Sequence, residues 1–179
     1  MGKTNWPKKD EREDYEINEF VAQYARLPGN RELEIVEKRE KPDYVVRDKH
    51  TKKEYGVELT SVYLSDNSVP DEHIPTLKKR IGNGIDLERG EIEKYKERVA
   101  EAVKSKIEKA KSGYDQSRPL ILSVYINEYR AIFMDRKDWE EIVKKNESLF
   151  DAMSPFVEVV IWSLVNKDVF LVTPDKSDK

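Results

Sequence analysis

Apolar residues recur along the chain at two spacings, and each spacing predicts one kind of element. A spacing of three to four residues joins Ile17, Phe20, Val21 and Tyr24 and predicts a first helix that opens at residue 10 and ends at 27–30. The same spacing predicts a long helix over roughly 88–112 and another over 135–150. Alternating or continuous apolar runs predict six strands, at 32–37, 42–46, 55–60, 119–126, 156–165 and 168–173.

The order of these elements predicts an α/β fold with a central mixed sheet flanked by helices. Its core reads α-β-β-β-α-β, and a helix and two strands follow. The nearly all-apolar run 119–126 is typical of a central strand covered on both faces. We expect a single domain over 10–173, with an irregular insertion at 64–90 rich in Pro, Gly and Asn. Residues 1–9 and 174–179 are expected to be a flexible N-terminus and a disordered tail.

The second and third strands flank a charged turn and predict a hairpin that carries two acids. Asp43 and Glu58 lie at equal distances from the centre of the turn, between His50 and Thr51. A symmetric hairpin sets them opposite each other, with Cβ atoms about 5 Å apart. Like charges in that arrangement repel, so a shared hard cation such as Mg²⁺ is one means of compensation. An ordinary hairpin with both acids facing solvent is the alternative.

The residues of this hairpin form a short motif. Pro42-Asp43 on one strand is followed by Glu58-Leu59-Thr60 on the next, and Glu58 and Thr60 share a face of their strand. The motif resembles that of the PD-(D/E)XK nuclease superfamily, with Thr60 at the position where the family usually has lysine. The resemblance covers residues 10–126 by element order and is limited to 42–60 at the level of residues.

This resemblance implies a restriction-endonuclease-like fold and a metal-dependent nuclease, an endonuclease or phosphodiesterase that hydrolyses DNA. Asp43, Glu58 and the Leu59 carbonyl would hold Mg²⁺ or Mn²⁺. In some members the lysine has migrated to the following helix. Lys96 and Lys106 both fall within the apolar stripe of the long helix and are expected to point towards the sheet.

We select Lys106 as the catalytic lysine because the small residues Ala102 and Ala110 leave room for its side chain. Snorkelling along the edge of the core is the alternative for either lysine. Glu13 has two interpretations as well. It closes a capping box with Asp10, or it is the helical glutamate that many family members add to the metal site.

The amino-acid composition excludes several kinds of functional site. The chain has no cysteine and two histidines, which excludes disulfides and thiolate metal sites and makes a zinc site unsupported. The net charge of −3 does not indicate nucleic acid, although residues 41–118 carry 17 Lys and Arg against 15 Asp and Glu. The basic run Lys78-Lys79-Arg80 is the predicted nucleic-acid contact, with an ordinary surface excursion as the alternative.

We expect a cytoplasmic protein with no membrane partner. The absence of cysteine suits a reducing compartment, the start of the chain lacks the apolar run of a signal peptide, and the stretch 156–165 is too short to span a bilayer. DNA is the predicted substrate, with RNA and a homodimer left open. Because Thr60 removes the usual lysine, an inactive nuclease-fold module that binds nucleic acid or a protein partner is the alternative.

Overall fold

A computed structural model describes residues 9–63, 89–127 and 134–174 of the 179-residue chain. The described helices are α1 (Lys9–Tyr24), α2 (Arg89–Gly113), α3 (Arg136–Lys145) and α4 (Glu147–Asp151). The described strands are β1 (Leu33–Lys38), β2 (Tyr44–Asp48), β3 (Glu54–Val62), β4 (Leu120–Ile126), β5 (Phe156–Ser163) and β6 (Asp168–Val172).

The six strands form one open mixed sheet in the order β1-β2-β3-β4-β5-β6. The pairs β1–β2, β2–β3 and β5–β6 are antiparallel, whereas β4 is parallel to both β3 and β5. Parallel neighbours need a crossover connection, and α2 and α3 lie in the two crossovers. The predicted α/β class and the element order α-β-β-β-α-β are confirmed.

Each face of the sheet buries its own apolar cluster. On one face, α1 packs Ile17 and Phe20 against residues of the hairpin such as Val57. On the other face, α2 and α3 pack side chains such as Val103 and Trp139 against β4 and β5. All seven residues of β4 are buried, which confirms the prediction of a central strand covered on both sides.

The hairpin of β2 and β3 has the predicted register. Tyr44 pairs with Val57 and Arg47 pairs with Glu54, so the centre of the turn lies between residues 50 and 51. The Asp48 carboxylate fixes the turn by accepting the backbone N–H groups of His50 and Thr51 at 2.9 and 2.7 Å. The register therefore follows from a turn that the sequence itself specifies.

Two helix predictions need correction. Helix α1 already includes Lys9, so Asp10 lies in its first turn and the expected capping box with Glu13 is wrong. The helix expected over 135–150 begins as predicted, with Asp135 and Asp138 forming a capping box, but it divides at Asn146. The Asn146 side chain donates to the Ile142 carbonyl at 2.8 Å, and such a local bond competes with helix continuation.

Several predictions fall mainly on residues outside those described. The irregular insertion is one, apart from its last two residues, which belong to α2. The N-terminal segment through residue 8 and the tail from residue 175 are others. The single-domain boundaries therefore stay predictions. None of the described helices is long and apolar enough to cross a membrane.

Candidate metal and catalytic site

The backbone around Asp43 is positioned by a close contact between Pro42 and Gly56. A Cβ atom on Gly56 would lie 2.5 Å from Pro42 Cγ and 2.7 Å from Leu120 Cδ2, so only glycine leaves room for the proline ring. Gly56 also donates its N–H to the Pro119 carbonyl at 3.0 Å. The segment before β2, the strand β3 and the entry to β4 are thereby held together.

Asp43 lies one step beyond the last ladder pair, and the register there places it opposite Glu58. Its Oδ2 accepts the Leu59 N–H at 2.8 Å. Burial, and after it the charge of Glu58, raises the pKa of Asp43 to about 6, although the Leu59 N–H and Lys106 act in the opposite sense. Asp43 is thus a carboxyl group with a reduced tendency to ionise in the metal-free protein.

Glu58 is buried, with only 4% of its surface exposed, and its two oxygens have different surroundings. Oε1 accepts hydrogen bonds from Lys106 Nζ and from the Tyr114 hydroxyl, each at 2.5 Å. Oε2 is buried and has no hydrogen-bond partner within the described part of the chain. A buried carboxylate oxygen in that state is a suitable ligand for a hard cation.

The structure separates the two candidate lysines. Lys106 contacts Glu58, whereas the Lys96 ammonium lies between α2 and α3, at 2.7 Å from both Asp138 and Glu141. Lys96 also pairs with Glu93 at 3.1 Å. Lys96 therefore has a structural setting of its own, and Lys106 is the lysine that the fold brings to the acids. Its part in a reaction stays a prediction.

Glu13 lies close enough to Asp43 for its charge to raise the pKa of that carboxyl group. Its own oxygens pair with Lys9 at 3.3 Å and with Lys38 at 3.4 Å. Lys38 also binds Asp14 at 2.9 Å, so Glu13 belongs to an ionic cluster at the border of the site. Among the described residues Glu13 does not complete a group of three acids that could hold a metal ion, so its role as a further acid of the site stays a prediction.

Two polar residues of this region were missed in the sequence. Tyr114, which directly follows α2, donates to Glu58, and its pKa is raised above the ordinary value by burial and by that hydrogen bond. Glu16 is buried and accepts the Ser61 hydroxyl at 2.8 Å. Ser61 lies on the α1 side of β3, opposite to the Glu58 side, as expected from strand alternation. No spacing motif marks either residue, because both contacts join elements distant in the chain.

The donor set fits a divalent cation in type, although it is small. Among the described residues, no group of three or more His, Cys, Asp or Glu could hold a metal ion. Asp43 and Glu58, through Oε2, offer two carboxylates, and the Leu59 carbonyl as a third ligand stays a prediction. The basic run Lys78-Lys79-Arg80 lies outside the described residues.

Comparisons with known proteins add little to this geometry. No family model matches the chain, and no significant match to a curated protein was found. Among solved structures, the chain is similar to "The structure of Pyrococcus Furiosus SfsA in complex with Ca2+", with a TM-score of 0.32 and 9% sequence identity. The match covers 90% of this chain and 63% of that chain, so this chain spans less than two thirds of that structure.

Proposed function

We propose that the protein is a metal-dependent nuclease that hydrolyses DNA phosphodiester bonds. The observation that supports the proposal best is the position of Lys106, whose ammonium lies 2.5 Å from Glu58 on the helix that follows the hairpin. Thr60 lacks the cationic group that the PD-(D/E)XK motif usually supplies at its position. Lys106 brings a cation to the same pair of carboxylates from another element.

Asp43, Glu58 and the Leu59 carbonyl would hold Mg²⁺ or Mn²⁺. An ion held there would supply a bound water of lowered pKa and positive charge for the phosphate and the leaving oxygen. Lys106 provides a positive charge near the two carboxylates, where it orients the nucleophile or neutralises charge that develops in the transition state.

A second function has its own support. Lys106 and Tyr114 already compensate the Glu58 carboxylate in the metal-free protein. The acid pair therefore does not require a cation for stability, and Thr60 departs from the catalytic motif. Both observations favour an inactive module on this fold that binds nucleic acid or a protein partner.

Cleavage of supercoiled plasmid DNA by the purified full chain tests the proposal. We expect cleavage that requires Mg²⁺ or Mn²⁺, stops with EDTA and is lost in Asp43→Asn and Glu58→Gln. Glu54→Gln is the matched control, because Glu54 lies on β3 as Glu58 does but pairs with Arg47 and Arg118. Parallel assays on single-stranded RNA decide between the two nucleic acids.

Two results would reject the nuclease. DNA binding without cleavage under every metal condition would support the inactive module. Cleavage that survives both Asp43→Asn and Glu58→Gln would place the active site elsewhere or reveal a contaminant.

A further inference from the structure

Glu58 receives two donors on one oxygen and none, within the described residues, on the other. The Lys106 ammonium and the Tyr114 hydroxyl both bind Oε1 at 2.5 Å, while Oε2 is buried without a partner. Burying a carboxylate oxygen without a hydrogen bond is costly. A purely structural arrangement would gain more by sharing the two donors between the two oxygens.

The loop that carries Tyr114 is attached to the connection between β1 and β2 and to β3. The Asp115 N–H donates to the Lys41 carbonyl at 3.4 Å, and Arg39 pairs with the Asp115 carboxylate at 3.1 Å. Pro119, at the end of the same loop, accepts the Gly56 N–H at 3.0 Å. The Tyr114 hydroxyl therefore has a fixed position relative to Glu58.

The two donors differ in how they respond to a cation. An ammonium is repelled by a divalent ion bound to the same carboxylate, and Lys106 extends from α2 with 21% of its side chain exposed. A tyrosine hydroxyl is neutral and is not repelled. Tyr114 can therefore keep Oε1 occupied when Lys106 turns away from Glu58.

We propose that Tyr114 is a positioning residue that fixes Glu58 through Oε1, directs Oε2 to the divalent cation beside Asp43, and leaves Lys106 free to face the anionic substrate. This inference rests on the proposed function. It assigns the tyrosine to ligand orientation and the lysine to substrate charge.

The variant Tyr114→Phe tests this inference because it removes only the hydroxyl group. We expect the Kd for Mn²⁺, measured by calorimetry on the full chain, to rise by about tenfold or more, as for the loss of a group that orients a metal ligand. The Mg²⁺ concentration for half-maximal cleavage should rise by the same factor. The rate at saturating Mg²⁺ should stay within a few-fold of wild type.

Tyr95→Phe is the matched control. Tyr95 is a buried tyrosine of α2, whereas Tyr114 is half-buried, and the Tyr95 hydroxyl donates at 2.5 Å to the Val62 carbonyl rather than to Glu58. Its Mn²⁺ affinity should equal that of wild type. An equal loss in both variants would indicate general destabilisation and would overturn the inference.

The remaining outcomes separate the inference from the proposed function. Wild-type binding of Mn²⁺ together with unchanged binding by Tyr114→Phe would overturn the inference alone. Failure of wild type to bind either ion would overturn the proposed function and the inference with it. If Tyr114→Phe does not fold, Lys106→Met tests the inference instead. In that variant Tyr114 is the remaining described donor to Oε1 of Glu58, and we expect Mn²⁺ binding at wild-type affinity or better. Lost binding in Lys106→Met would overturn the inference.

Discussion

At the scale of single residues, Asp43 and Glu58 differ in how their desolvated carboxyl groups are stabilised. Both are acids in a desolvated site, but Glu58 receives a cation and a hydroxyl, whereas Asp43 receives one backbone N–H. Removing Glu58 would leave Lys106 and Tyr114 without their acceptor, so Glu58→Ala should destabilise the protein. Removing the charge of Asp43 should have the opposite effect.

The pKa of Asp43 gives the first prediction its sign. Because this pKa rises from 3.8 to about 6 on folding, chiefly through desolvation and then the charge of Glu58, the folded protein holds the proton more tightly than the unfolded chain. That stabilisation is fully present below about pH 4 and is lost as the pH rises through about 6. Between those values the free energy of unfolding of wild type should fall by roughly 2 kcal/mol relative to Asp43→Asn, whose amide oxygen still accepts the Leu59 N–H.

Urea unfolding at a series of pH values, with EDTA present, measures this difference. Asp151→Asn, at an exposed position on α4, is the control and should follow wild type throughout. A constant difference between wild type and Asp43→Asn from pH 4 to 7 would contradict the raised pKa.

The second prediction concerns Lys106. Lys106→Ala should lower DNA cleavage by about a hundredfold or more and leave Mn²⁺ binding intact, as expected when a charge that acts in the transition state is lost. Lys109→Ala removes an exposed lysine from the same helix and should have no effect. Activity that is lost in Lys96→Ala and retained in Lys106→Ala would mean that Lys96 is the catalytic lysine. If the enzyme is active and neither substitution lowers its rate of DNA cleavage, the hypothesis of a migrated lysine is rejected.

At the scale of elements, the features that can be predicted from the sequence are those that depend on local periodicity and on the symmetry of a turn. The hairpin register is predictable because Asp48 fixes the turn, and the inward direction of Lys106 is predictable because the stripe of α2 is regular. Tyr114 is not predictable, since its contact with Glu58 depends on how the loop after α2 docks on β3. The prediction of a capping box at Asp10 was wrong because Asp10 lies inside the helix rather than before it.

Gly56 provides the third prediction, at the contact between two elements. In Gly56→Ala the new Cβ would lie 2.5 Å from Pro42 and 2.7 Å from Leu120, so strands must shift. Overpacking of this kind costs about 1–3 kcal/mol of unfolding free energy. Because Pro42 precedes Asp43, the affinity for Mn²⁺ should fall as well.

Gly90→Ala is the matched control for Gly56→Ala. Among the described residues, none lies within 4 Å of a Cβ on Gly90, and the residue is in the first turn of α2, where alanine favours the helix. Its stability should equal or exceed that of wild type. A loss in Gly90→Ala equal to that in Gly56→Ala would show that the Pro42 contact is not responsible.

At the scale of the whole molecule, the alternation of helical and strand periods gave the α/β class and the element order, because each amphipathic helix needs a sheet face to cover. What periodicity cannot supply is the meeting of distant side chains. The cluster of Glu13, Lys38 and Asp14 joins α1 to β1, and the Lys96 cluster joins α2 to α3. Such contacts depend on the packed arrangement of elements, not on spacing within one element.

The last prediction tests where DNA meets the molecule. The run Lys78-Lys79-Arg80 lies between the hairpin and α2 in sequence, outside the described residues, and carries three positive charges in a chain of net charge −3. Replacing all three with glutamine should weaken DNA binding and flatten the dependence of log K on log salt, because fewer counterions are released. If each cation meets a phosphate, the slope should change by about 2–3.

A control with the same change in net charge separates contact from overall charge. Lys137, Lys144 and Lys167 are exposed residues of α3 and of the turn before β6, and their triple glutamine variant also removes three positive charges. Fluorescence anisotropy of a labelled duplex at several salt concentrations gives both slopes, with EDTA present to prevent cleavage. If DNA contacts residues 78–80, the slope is reduced in the variant with glutamine at 78–80 and is unchanged in the control variant. Equal slopes in the two variants would exclude this segment from the DNA path, since overall charge would then account for the loss of affinity.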